Sequence, residues 1–191
     1  MNCVDCPFER RCRRMLESCP ACKADREEVL AFYHVEPQQQ VVQAAAELVD
    51  GGRAGTLSRL EELIAFAHVM NYLRLGLAYC YGMESDARKV VELLREAGLR
   101  VVPVCCTTGA LAQREVNIKS ELPGVSCNPA AQAAQLNAEG VDLVITMGLC
   151  LGHDILLQQR LKAPSTNLVV KDRSNGHNSL AAIRDQHART R

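Results

Sequence analysis

The chain has 191 residues, room for one sizeable domain and a small appendage. Lys plus Arg and Asp plus Glu number 22 each, so no net field draws it to nucleic acid or to an anionic membrane. With no apolar run of about 18 residues and no charged-then-apolar leader pattern, the expectation is a cytoplasmic protein that binds neither nucleic acid nor membrane.

Aromatic residues make up only 4% and Trp is absent, so the core must be built from Ala, Val, Leu and Ile. Cysteine, by contrast, occurs ten times. The cytosol keeps thiols reduced, so this number points to metal ligation or thiolate catalysis rather than to a disulfide scaffold. For any single one of the ten, burial as a small hydrophobe is the alternative.

The first segment, "MNCVDCPFERRCRRMLESCPACK", is polar and charged and has no apolar periodicity from which to build a core. It carries Cys3, Cys6, Cys12, Cys19 and Cys22, including two CxxC pairs. That spacing lets two sulfurs bind one ion at about 2.3 Å each, and four thiolates satisfy either tetrahedral zinc or a 4Fe–4S cluster. Cys19-Pro20 is similar to the Cys-Pro of cluster ferredoxins, and Arg10, Arg11, Arg13 and Arg14 are placed to offset thiolate charge. Residues 1–24 therefore read as a metal-binding knuckle ahead of an α/β domain over 25–191.

Helical patterning starts near Asp25: "ADREEVLAFYHV" is acidic at its start, as the helix dipole favours, and ends at Pro37. "QQQVVQAAAELVDGG" predicts a second helix stopped by Gly51 and Gly52. "TLSRLEELIAFAHVM" predicts a third, with Leu57, Leu60, Leu63, Ile64 and Ala67 on one stripe. This helical lead-in occupies 25–70.

From residue 71 strands and helices alternate. The pattern predicts strands at 73–80, 99–106, 141–148 and 166–172. Between them it predicts a helix at 85–98 with Ser85 as cap, one at 128–140 with Asn128 as cap and Pro129 in its first turn, and a short one near 153–161. Pro103 suits an edge strand or a bulge. A loop of about twenty residues follows the second strand, and a last helix begins at Asn178. The expected fold is α/β: a Rossmann-like or flavodoxin-like parallel sheet of about four strands, with N-terminal helices and the cysteine-rich metal-binding knuckle.

In such a sheet all strand C-termini lie on one side, and ligands bind in the crevice outside them. Cys80 ends the first strand, Cys105 and Cys106 end the second, Cys127 precedes a helix start, and Cys150 follows the third strand. Topology alone would bring these to one rim. Helix starts favour thiolates, and Gly148 and Gly152 around Cys150 let backbone N–H groups approach a sulfur or anion. His153 follows, as a ligand, an acid–base group or a packed first-turn residue. The fourth strand's exit adds Lys171, Asp172, Arg173, Gly176, His177 and Asn178.

The motifs "LGLAYCYGMESDAR", "VVPVCCTTG", "SCNPAAQAAQLN", "MGLCLGHD" and "NLVVKDRSNGHN" together resemble a cysteine-rich bacterial and archaeal family of unknown function, whose members are described as metal-binding proteins. The resemblance implies that Cys80, Cys105, Cys106, Cys127, Cys150, Gly148, His153, Lys171, Asp172, Arg173, Gly176 and His177 match the family pattern. It supplies no reaction, and Cys22 stands as an extra thiol, leaving open which four N-terminal cysteines bind.

The leading expectation is an iron–sulfur protein, most simply of the 4Fe–4S type, with redox or sulfur chemistry at the crevice. Zinc is the other candidate for the N-terminal site. Lys171, Asp172, Arg173, His153 and His177 are the candidate catalytic groups, holding a small anionic substrate and moving protons; a redox partner protein and a homo-oligomer are further candidate associations. Two alternatives stand beside this: a non-catalytic zinc carrier or sensor, and an enzyme with Cys150 as nucleophile. The last leaves Cys80, Cys106 and Cys127 without a role.

Overall fold

The computed structural model describes residues 2–9, 11–13 and 19–189, in two compact units, residues 1–47 and 48–191. The first unit holds α1 (Arg26–Tyr33) and most of α2 (Gln38–Val49). Asp25 caps α1 by accepting a 2.9 Å bond from the Glu28 N–H, the role its acidic start suggested. In the cysteine-rich stretch the described residues form a single 3-10 turn, Arg11–Arg13, and a 2.9 Å bond from the Cys22 N–H to the Cys19 carbonyl. Arg10 and Arg14 lie outside the described residues.

The second unit opens with α3 (Arg59–Val69), started by a capping box between Ser58 and Glu61. Then come β1 (Arg74–Tyr79), α4 (Glu84–Glu96), β2 (Arg100–Cys105), the short α5 (Gln113–Val116), α6 (Pro129–Glu139), β3 (Leu143–Met147), α7 (Leu151–Gln158), β4 (Ser165–Val169) and α8 (Ser179–Arg189). The four strands are parallel in the order β2-β1-β3-β4. β2 is therefore an edge, which is where Pro103, without an N–H, belongs.

This order places the change of winding direction between β1 and β3, the flavodoxin-type arrangement, and decides between the two sheet types that strand count alone allows. Strand alternation then sorts the side chains. Leu75, Leu77, Val101, Ile145 and Met147 face α3 and α4, packing on Leu63, Ala67, Val91 and Leu94. Ala78, Cys80, Val104, Cys106 and Val144 face α6 and α7, packing on Ala133, Leu136 and Leu157. Gly76 belongs to this second face. A Cβ there would stand 2.7 Å from Leu136 Cδ2, so its absence lets α6 approach β1 closely.

Two local expectations need correction. Ser85 lies inside α4 rather than capping it; the cap position is Met83, which makes no side-chain cap bond. α7 begins at Leu151, two residues before the expected start, so Cys150 is itself the N-cap. Asn128, Pro129 and Gly140 start and stop α6 as their chemistry requires, Asn128 Oδ1 accepting from the Ala131 N–H at 3.0 Å. Among the described residues no helix is long and apolar enough to cross a membrane.

Candidate functional site

At the C-terminal end of the sheet, four thiols from four separate segments form a connected chain around one lysine. Cys80 extends β1 and Cys106 extends β2, neighbours across the parallel ladder in which Tyr79 pairs with Cys105. Cys127 precedes the α6 cap and Cys150 caps α7. Lys171, two residues beyond β4, places Nζ 3.0 Å from Cys80 Sγ and 3.3 Å from Cys150 Sγ. Cys127 Sγ lies 3.6 Å from Cys106 Sγ, and Cys106 is the neighbour of Cys80 at the ends of the paired strands. Cys80 and Cys150 thus flank the β1/β3 switch point, the expected ligand crevice of this topology.

Backbone geometry holds the cluster in place. The Asn128 N–H donates to the Cys106 carbonyl at 2.6 Å, tying the start of α6 to the end of β2 and so Cys127 to Cys106. The N–H of Tyr81 donates to Cys106 Sγ at 3.4 Å, and that of Gly82 donates to Cys80. Gly148 has a left-handed backbone (φ +62°) and a Cβ there would collide with Met83 Sδ, so the turn from β3 to Cys150 requires glycine.

Gln132 lies within the stretch "SCNPAAQAAQLN" but is not among the candidate site residues read from the sequence. It is fully buried on α6, and its Nε2 donates to the Val104 carbonyl at 2.8 Å and the Tyr79 carbonyl at 3.3 Å, the two strand ends that carry Cys106 and Cys80. Its Oε1 is buried with no hydrogen-bond partner among the described residues. The available signal was a glutamine on the same helical stripe as Ala133 and Leu136, a polar group where the pattern calls for an apolar one.

Cys105 stands apart from the other four. It directly precedes Cys106, and its thiol meets Thr107 Oγ1 at 3.3 Å and the Tyr79 hydroxyl instead of joining the chain of sulfurs. Asp172 and His177 build the turn after β4. The Asp172 carboxylate accepts from the Asn175 N–H and Nδ2, and the Asp172 N–H donates to His177 Nδ1 at 3.1 Å. When neutral, His177 therefore carries its proton on Nε2. Gly176 supplies the left-handed step of this turn, Arg173 is exposed, and Gly152 lies open in the first turn of α7.

The charges sort themselves around Lys171. Burial opposes a Cys80 thiolate, but the Lys171 ammonium and the Gly82 N–H outweigh it and hold the thiol below its ordinary value. Burial also opposes the Lys171 charge; its bonds to Cys80 and Cys150 overcome this and raise its pKa. Burial, and then the Lys171 charge, lower the pKa of His153, which stays neutral. Cys106 is pushed up to about 12, chiefly by burial and further by Cys127 and Cys80.

In metal-free protein, iodoacetamide at about pH 8 is thus expected to label the part-exposed Cys127 and Cys150 and to spare Cys106 until the chain unfolds. Peptide mapping of the alkylated sites checks this, and early labelling of Cys106 would refute it. Because the folded state binds the Cys106 proton more tightly than the unfolded state does, this contribution to stability is complete below the ordinary thiol value of 9.0 and is lost as pH rises towards 12.

All ten cysteines are present as thiols. Among the described residues, no three Cys, His, Asp or Glu side chains close around a single point. The rim thiols run as a chain, with the Lys171 ammonium bridging Cys80 and Cys150. Of the N-terminal cysteines, Cys3, Cys12 and Cys22 are exposed and Cys6 and Cys19 half-buried.

No solved structure is significantly similar to this chain. An uncharacterized protein of Methanocaldococcus jannaschii is 36% identical over 166 residues, spanning 85% of each chain. Residues 19–168, which include all four rim cysteines and end just before Lys171, match the family model described as protein of unknown function (DUF1847). With that match and that relative together, the chain belongs to the DUF1847 family.

Proposed function

We propose that this chain is a metal–thiolate protein that holds an iron–sulfur cluster at its rim through Cys80, Cys106, Cys127 and Cys150 and carries out redox or sulfur chemistry in the β1/β3 crevice. The carrying observation is that these four thiols, from segments up to 70 residues apart, line one end of the sheet, Cys80 and Cys150 on the Lys171 ammonium and Cys127 on Cys106. Thiolates crowded together need charge compensation and N–H donors to the sulfurs; Lys171, Tyr81 and Gly82 are in place to give both. When bound, the cluster supplies electron transfer or an open iron. Lys171 and neutral His153 then orient a small anionic substrate and handle its protons. Four of Cys3, Cys6, Cys12, Cys19 and Cys22 hold a second metal, and the protein works in the reducing cytoplasm.

One distance favours a second reading, a zinc site. The edge of a tetrahedron of sulfurs around an ion at 2.3 Å is roughly 3.8 Å, and Cys106 and Cys127 are 3.6 Å apart. Anaerobic purification, with an absorbance spectrum and analysis of iron, zinc and acid-labile sulfide, separates the two. Brown protein with iron and sulfide is the expected result. Colourless protein with stoichiometric zinc would overturn the cluster and establish the second reading.

A further inference from the structure

The rim contains a second chemistry that needs no metal. We propose that Cys127 and Cys106 are a redox-active dithiol that reduces low-molecular-weight disulfides, with Cys80 and Lys171 as its proton acceptor. The evidence is geometric. The two sulfurs are 3.6 Å apart and already hydrogen-bonded, so closing to a covalent S–S bond takes a small movement. The Asn128 N–H to Cys106 carbonyl bond, at 2.6 Å, holds the two backbones together beneath them. Their exposure is unequal: Cys127 is half-buried, whereas Cys106 is 2% exposed. That inequality orders the steps, because only Cys127 is open to an incoming disulfide, and an attacker reaching it through a half-buried rim must be compact.

In the first step the Cys127 thiolate attacks one sulfur of R–S–S–R. A Cys127–SR bond forms, the R–S–S–R bond breaks, and the first thiolate leaves to take a proton from solvent. In the second step Cys106 attacks the Cys127 sulfur, the Cys106–Cys127 bond forms, and the second RS⁻ departs. The Cys106 proton passes to Cys80, its neighbour at the end of the paired strand, whose sulfur is held by Lys171 Nζ at 3.0 Å. From there it goes to the departing thiolate. Two electrons move from the dithiol to the substrate, giving one protein disulfide and two RSH, and an excess of low-molecular-weight thiol returns the dithiol. Cys150, on the far side of Lys171, takes no part.

The test uses the full chain, reduced, both as isolated anaerobically and after removal of metal by chelation, with glutathione disulfide as probe and mass spectrometry as readout. Metal-free protein is expected to lose two hydrogens and yield a linked Cys106–Cys127 peptide. Metal-loaded protein is expected to react more slowly, since ligated thiolates must first be released. Cys106→Ser should stall as a mixed disulfide on Cys127, and Cys127→Ser should give neither product at these positions. Lys171→Met, its fold checked by circular dichroism, should accumulate the mixed disulfide on Cys127 and close it roughly tenfold more slowly than the unchanged chain.

A Cys80–Cys106 link in place of Cys106–Cys127, or failure to exchange after chelation, would overturn the proposal. Should Cys106→Ser not fold, the site of the mixed disulfide is read from Lys171→Met instead. Metal content is measured on the same samples, so loss of the metal reading and loss of the dithiol are seen separately.

Discussion

Replacing Gln132 with alanine is expected to lower the melting temperature by roughly 6–12 °C and to loosen the whole thiol rim. The substitution empties a fully buried position and removes both hydrogen bonds that Nε2 makes to the strand ends. The Tyr79 carbonyl keeps its 2.9 Å bond from the Cys106 N–H, but the Val104 carbonyl loses its glutamine donor. A cavity together with an underused buried acceptor costs about 3 kcal/mol, and for a chain of this length each kcal/mol moves the midpoint by about 2–4 °C. Gln132→Met separates the two effects, restoring volume but not the donor, and should recover part of the loss. Thermal unfolding followed by circular dichroism checks the prediction; a shift of less than about 2 °C would mean that the clamp contributes nothing. Since the clamped residues lead directly into Cys80 and Cys106, metal retained at the rim should fall along with the stability.

The double substitution Cys106→Ser with Cys127→Ser is expected to abolish metal binding at the rim and leave the N-terminal site loaded. Two of four thiolates would be lost, and a serine hydroxyl is a poor replacement for a soft sulfur ligand. Cys106 is buried, so the serine there costs about 1–3 kcal/mol for its hydroxyl, whereas Cys127 is half-buried and costs less. Metal per chain should drop without reaching zero. In a fragment of residues 48–191, the second compact unit, the same substitutions should remove all of it. Full retention of metal by the substituted fragment would remove these cysteines from any ligand set. Cys150→Ser probes the other end of the chain of thiols in the same way, since its sulfur touches Lys171 rather than the Cys106–Cys127 pair.

Much of this protein is legible without coordinates, wherever the cause is local. Asn128, Pro129 and Gly140 each act within one turn of α6, so the bounds of that helix follow from three residues. The segments 73–80, 99–106, 141–148 and 166–172 overlap the four strands; the central β1 and β3, buried on both faces, read as continuous hydrophobic segments, whereas the edge strands β2 and β4 are partly exposed. The placing of cysteines beside strand ends is equally a matter of sequence, and parallel topology carries them to one side.

What depends on partners distant in the chain was settled only by the fold. The order β2-β1-β3-β4 brings Cys80 and Cys150 to the two sides of one crevice, and nothing local distinguishes that order from its rivals. The adjacent pair Cys105 and Cys106 is indistinguishable in composition, yet one thiol meets Thr107 and the other joins the chain of sulfurs. Lys171 reaches Cys80 across 91 positions, and Gln132 reaches the Tyr79 and Val104 carbonyls across 53 and 28. Local sequence determines where helices and strands start and stop because backbone bonding and capping act within a few residues. Which thiols, cations and clamps finally meet is decided by sheet order and strand parity, and these exist only once the strands have paired.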